Sequence, residues 1–179
     1  ALSSFTTNAP RSERLVLPGA VTPSGAGEKL FAQVLSESDR NTAVTLKLYN
    51  PSGALVRQAA ATIPAGRKYN IQPGGAPFQH GMSNADWVEV TGGTGDLLSG
   101  FQTVSAPGRA EATAMASISG TAGLVPHVPP QAGNWVLTVA LINPNDFENR
   151  IRFHMRKAGQ DVAEDLEVVL GPREKRLID

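Results

Sequence analysis

From Leu15 onward the chain alternates short apolar runs with Pro, Gly, Asn and Asp, and no window of about eleven residues holds a helical period. In residues 43–49, Val44, Leu46 and Leu48 fall on one face and Thr45, Lys47 and Tyr49 on the other, the period of two of a half-buried strand. Asn50-Pro51-Ser52-Gly53 follows as a turn, with proline preset at its second position and glycine at its fourth. The chain returns through residues 54–63 and turns again at Pro64-Ala65-Gly66. Residues 87–91 and 97–105 flank Gly92-Gly-Thr-Gly-Asp96, a hairpin loop whose glycines supply positive φ. The Ala-rich stretch 110–119 is compatible with a helix, but Ala112, Ala114, Ala116 and Ile118 alternate with Thr113, Met115 and Ser117, so it reads as strand. The pattern predicts an all-β chain: an antiparallel β-sandwich of immunoglobulin-like character.

The chain also resembles itself. Asp39 corresponds to Asp146, Val44 to Ile151, Leu46 to Phe153 and Leu48 to Met155, each at an offset of 107 (146 − 39). The same offset relates Ile63 to Leu170 and Ile71 to Ile178. Apolar positions recur while outward residues change, as expected when a fold is repeated. Residues 1–13 read as a flexible N-terminal arm, 14–119 as one full unit, and 120–179 as a partial second copy without a counterpart of the block 86–101. An open half-sandwich leaves apolar surface and unpaired edges exposed. The partial copy is therefore expected to pack on the first; the alternatives are completion by a neighbouring subunit and a truncated chain. The predicted core is Val34, Val44, Leu46, Leu48, Ile63, Phe101, Val139, Leu141, Ile151, Phe153, Leu166, Val168 and Leu170.

The order Val125-Pro-His-Val128, Leu141-Ile-Asn-Pro144, the turn at residues 63–66, Trp87-Val-Glu-Val90 and Gly100-Phe101 resembles tandem β-sandwich repeats of about 100 residues in secreted and cell-surface bacterial proteins. The resemblance covers most of residues 15–179; the first copy departs from it, with Ser36-Glu37 in place of Asn-Pro and Gly19-Ala20 in place of Pro-His. It implies a secreted or surface-exposed structural or adhesive module. It brings no catalytic residues to carry over.

Composition narrows the partners. Sixteen basic and sixteen acidic residues cancel, so no global field draws in nucleic acid or an anionic membrane. No apolar run of about 18 residues occurs, and membrane insertion is not expected. Without cysteine there is no disulfide scaffold or thiolate site, yet a chain of 179 residues buries enough surface to need no staple. Residues 1–10 carry no basic stretch followed by an apolar one, so a secreted chain is read as already processed.

Candidate chemistry is sparse. His80, Ser83 and Asp86 lie close in sequence, but prolines and glycines precede them and a strand follows, the wrong setting for a nucleophile elbow. They read as a polar loop, and no catalytic residue is assigned. His127 and His154 lack a third ligand at metal spacing, and Asn143-Pro-Asn145-Asp146 reads as an Asx-type turn rather than a Ca²⁺ loop. Neither metal nor cofactor is assigned. Arg150, Arg152, His154 and Arg156 form a basic stripe opposite Ile151, Phe153 and Met155. Arg150, Arg152 and Arg156 are candidates for an anionic glycan or partner, against cross-strand pairing with Asp165 and Glu167, which is favoured. Trp87 and Tyr49 are the candidates for a sugar-stacking platform. The favoured expectation is a non-catalytic module or surface-assembly subunit. The alternatives are a carbohydrate-binding module and a self-polymerising subunit completed by a neighbour's strand.

Overall fold

The computed structural model describes residues 12–19, 29–78, 82–83, 85–106, 109–114, 116–117, 139–154 and 165–178. Among these every regular element is a strand and every ladder is antiparallel. The strands are β1 (Arg14–Leu17), β2 (Lys29–Ser36), β3 (Thr42–Tyr49), β4 (Leu55–Ile63), β5 (Lys68–Ile71), β6 (Trp87–Thr91), β7 (Leu98–Ala106), β8 (Arg109–Ala114), β9 (Ala116–Ser117), β10 (Val139–Ile142), β11 (Asn149–His154), β12 (Asp165–Leu170) and β13 (Lys175–Ile178). One sheet runs β4-β3-β6-β1-β9 and a second β5-β2-β7-β8; β10 pairs with β13, and β11 with β12. The Ala-rich stretch is strand where it is described, in β8 and β9.

Alternation does the sorting. Leu15, Leu17, Val44, Leu46, Leu48, Val88 and Val90 of the five-stranded sheet join Leu30, Ala32, Val34, Ile71 and Leu98 of the four-stranded sheet in one buried cluster. Each fully buried aliphatic side chain contributes about 1.5–3 kcal/mol. The turn at Asn50–Gly53 forms as expected: Gly53 N donates to Asn50 O at 3.0 Å, and Asn50 Oδ1 accepts from Ala54 N at 3.0 Å. Ser12 and Glu13, read as part of the arm, are tied in. Ser12 exchanges two backbone bonds with Leu98, and Gly92 N donates to Glu13 O. Residues 1–11 lie outside the described residues.

Of the predicted core, Val34, Val44, Leu46, Leu48, Ile63, Val168 and Leu170 are buried, while Val139, Leu141, Ile151 and Phe153 are half-buried. Two positions are corrected. Phe101 is 41% exposed. The register Val34↔Gly100 and Ala32↔Gln102 turns Gly100 and Gln102 inward, which sends Phe101 outward beside Gln33. Gln102 is tolerated inside because both ends of its amide are used: Gly19 N donates to Oε1 at 3.0 Å and Nε2 donates to Gly19 O at 2.9 Å. Leu166 is 47% exposed, opposite Phe153 in a two-stranded pair over which no third described strand lies. A half-buried ring forfeits only part of its burial energy. Phe153→Ala is therefore expected to cost about 1–2 kcal/mol in urea unfolding, where a sealed phenylalanine costs roughly 3–5.

The pairing registers carry a further regularity. Ala32↔Ile71 through Leu35↔Lys68 join β2 and β5, and Val139↔Ile178 through Ile142↔Lys175 join β10 and β13, all displaced by 107 (139 − 32, 178 − 71). Thr42↔Ile63 through Lys47↔Gln58 and Asn149↔Leu170 through His154↔Asp165 obey the same offset. So do the turns: Ser36 N→Arg67 O and Gly66 N→Ser38 O correspond to Asn143 N→Glu174 O and Arg173 N→Asn145 O. Even the left-handed residue recurs, Gly66 at φ 60° and Arg173 at φ 58°.

Candidate functional site

Residues that alternate with the core on β1, β3 and β6 face the other way and form a second, smaller surface. It carries Arg14, Val16, Lys47, Tyr49, Trp87 and Glu89. The register Tyr49↔Trp87 sets the two rings side by side, stacked at 4.5 Å between centroids and 18° between planes. Residues 142–147 and 171–175 lie over this surface. Ile142 packs against Val16, Tyr49 and Trp87, and Trp87 Nε1 donates to Arg173 O at 3.1 Å. Trp87 is 0% exposed and Tyr49 5%. A sugar platform needs an open aromatic face, and this one is closed. That reading of Trp87 and Tyr49 is corrected.

Charge completes the seam. Glu89, 5% exposed, accepts from Arg14 Nη2 at 2.9 Å and from Arg173 Nη1 at 2.5 Å, both through Oε2. Thr91 Oγ1 donates to its other oxygen at 3.2 Å. Arg173 Nε donates to Asp146 at 2.7 Å, and its guanidinium lies 5.4 Å from the centre of the Tyr49 ring. Arg14 Nη2 also donates to Pro144 O at 2.8 Å. Burial pushes the Glu89 carboxyl up, but the Arg14 hydrogen bond and the charges of Arg14, Arg173 and Lys47 outweigh it and hold the group below the usual carboxylate range. Burial raises the Tyr49 hydroxyl against the pull of Arg173.

Two further residues seal the edge of the seam. Gly53 has φ 89°, and a Cβ there would stand 2.3 Å from Pro172 O. Gly66 is also left-handed but opens onto empty space. Gly53→Ala is expected to cost about 1–3 kcal/mol, more than Gly66→Ala, because a backbone clash adds to the conformational penalty. Urea midpoints of the two variants measure the difference. Lys175, buried, donates through Nζ to Ala85 O at 2.9 Å and through its backbone N to Pro51 O at 2.9 Å. Burial lowers its ammonium to about 8, partly offset by Asp86. Below pH 8 both folded and unfolded chains hold the proton; between about 8 and 10.5 only the unfolded chain does. Stability is therefore expected to rise over that window, on the order of 2–3 kcal/mol in all, until Tyr49 begins to oppose it near pH 10. Urea unfolding at pH 7.5 and 9.5 measures it, and Lys175→Met removes the rise.

The other sequence candidates disperse. Arg150 and Arg152 are exposed and share Glu167, at 3.3 and 3.1 Å, while Arg150 also reaches Glu148 at 3.4 Å. The cross-strand pairing expected of them is what they do; such exposed pairs contribute about 0–1 kcal/mol. Arg156, His80 and His127 lie outside the described residues, as do Met155 and Trp135. Asp86 Oδ2 accepts from Ser83 N at 2.7 Å, so this carboxylate braces its own turn. Asn143, fully buried, donates to Phe147 O and Gly171 O at 2.7 and 2.8 Å and accepts from Asn145 N at 3.1 Å, an Asx turn stitching two loops. Among the described residues no group of three His, Asp or Glu side chains converges as a metal site. The shallow shelf on β3, β4 and β6, lined by residues such as Thr45, Ala60, Thr62 and Thr91, carries no titratable side chain.

Glu89, Arg173, Arg14 and Lys175 were not singled out from sequence, and Gly53 was read only as a turn residue. One signal was present: Arg173 stands where the equivalent turn has Gly66, a long cation at a position suited to glycine. The chain matches no known family model, no curated protein and no solved structure.

Proposed function

We propose that the chain is a non-catalytic, immunoglobulin-like β-sandwich module of a tandem array, secreted or surface-exposed, whose second copy is clamped on the first to make a stiff spacer. The observation that carries this reading is the seam. Two sets of strands with one register, 107 residues apart, meet through a stacked aromatic pair, a buried carboxylate held by two arginines, and four backbone-directed bonds. Glu89, Arg14, Arg173 and Lys175 are engaged in holding the two sets of strands together, which supports a mechanical role over catalysis. The secreted or surface setting rests on the sequence resemblance.

Calorimetry with Arg173→Glu tests the clamp. The parent is expected to unfold in one cooperative transition, and the variant in two, as the like charge beside Glu89 uncouples the copies. Two separate transitions in the parent would defeat the proposal. Light scattering over a concentration series separates a self-contained spacer, constant in mass, from a polymerising subunit.

A further inference from the structure

We infer that Glu89 is an acid-operated latch: neutralising its carboxylate frees residues 142–147 and 171–175 from β1, β3 and β6, while both sets of strands keep their fold and the Tyr49–Trp87 face is uncovered. The inference rests on the seam reading above and adds how the seam is opened.

One oxygen ties the two sides together. Glu89 stands on β6 between Val16 of β1 and Lys47 of β3, with its side chain 5% exposed. Oε2 takes a guanidinium from each side of the seam, Arg14 from β1 and Arg173 from the covering segment. Oε1 accepts from the Thr91 hydroxyl of the same strand. Tyr49 and Lys47 face the group from β3, and Asp146 reaches it through the shared Arg173. A protonated carboxyl no longer balances its partners. Arg14, Lys47 and Arg173 are then three cations gathered from β1, β3 and residues 171–175 in a place poorly reached by water. Asp146 still engages Arg173 through Nε, but it is 82% exposed and screened. Burial raises the Glu89 carboxyl, yet the Arg14 bond and the charges of Arg14, Arg173 and Lys47 outweigh it. Release therefore comes only below the usual carboxylate range.

Acid reaches the seam without reaching the core. The buried cluster that runs from Leu15 to Leu98 holds no carboxylate. Asp86 accepts from Ser83 N in the turn before β6, Asp96 from Gly93 N in the loop before β7, and Glu174 from Gly171 N in the turn before β13. Protonating these loosens single turns, whereas protonating Glu89 unties one set of strands from the other. Asp86 also acts on the seam, by charge on Lys175, whose ammonium keeps its hydrogen bond to Ala85 O in acid. The ladders β2–β5, β3–β4, β10–β13 and β11–β12 each lie within one set, so opening the seam breaks none of them.

Trp135→Phe leaves Trp87 as the one indole of the chain, a reporter seated in the seam. Acrylamide quenching of its fluorescence is expected to rise severalfold between pH 7 and about pH 3, with the far-ultraviolet strand spectrum retained. Calorimetry is expected to show two transitions at the acid end where pH 7 shows one. Glu89→Gln is expected to show at pH 7 the quenching that the parent reaches only in acid. Arg14→Gln removes a cation that holds the carboxyl down and is expected to move the opening to higher pH; it carries the test where Glu89→Gln misfolds. Trp87 still protected in the folded chain at the acid end overturns the latch. So does quenching that rises together with loss of the strand spectrum at one midpoint, or an opening that neither substitution moves. Any of these outcomes with the single transition at pH 7 intact removes the latch and leaves the spacer standing.

Discussion

Trp87→Ala is expected to lower the unfolding free energy by about 3–5 kcal/mol, the largest single loss in the chain. The indole is completely buried, stacked on Tyr49 at 4.5 Å, and touched by Ile142 from across the seam. Alanine removes the ring, the stacking contribution of about 0.5–1.5 kcal/mol and the donor to Arg173 O. Both sets of strands lose their contact surface at once, so the loss is expected to come with a split urea transition rather than a simple shift of midpoint. Trp87→Phe keeps most of the ring and drops only the donor; about 1–2 kcal/mol is expected for it. If Trp87→Ala unfolds at the parent's urea midpoint, the indole is not the keystone of the seam.

Glu89→Gln comes second, at about 3 kcal/mol. The substitution keeps the shape and removes the charge, leaving Arg14 and Arg173 facing each other without the carboxylate that neutralises both. Arg173 retains Asp146, but that group is 82% exposed and screened. Acid should reproduce the mutation. The Glu89 carboxyl sits below its ordinary value of 4.5 in the folded chain, so its contribution is present above that pH and is lost as pH falls through the folded value. A plot of stability against pH is therefore expected to drop on the acid side in the parent and to drop less in Glu89→Gln. Equal acid limbs in the two proteins would move the effect elsewhere, Asp146 and Glu174 being the other depressed carboxyls of the segments over the seam.

The two substitutions report on the same contact by different physics. Trp87 contributes through area removed from water, which salt does not screen. Glu89 contributes through charge in a poorly solvated place, where removing one partner costs more than the pair contributes net. Raising ionic strength is accordingly expected to narrow the gap between the parent and Glu89→Gln and to leave Trp87→Ala unchanged.

Much of the architecture is legible in the sequence. Val44, Leu46 and Leu48 declared a strand face by period alone, Asn50-Pro-Ser-Gly declared its turn, and the offset of 107 read from Asp39 and Asp146 is the offset the ladders obey. Local rules suffice there because side-chain alternation and turn geometry involve residues only a few positions apart. The same rules misjudged Phe101, since which parity of β7 points inward is decided by its register against β2, whose Gln33 pairs with Phe101 from 68 residues away in the chain (101 − 33).

The sequence by itself determined the strand class, the turns and the repeat of apolar positions, for these follow from neighbours along the chain. Only the tertiary structure decided the fate of the outward residues. Tyr49 and Trp87 have the alternation of solvent-facing positions, and Arg173 sits in an ordinary turn, until residues 142–147 and 171–175 fold over β1, β3 and β6. Burial of a position depends on what arrives from elsewhere to cover it, and no local periodicity encodes that arrival.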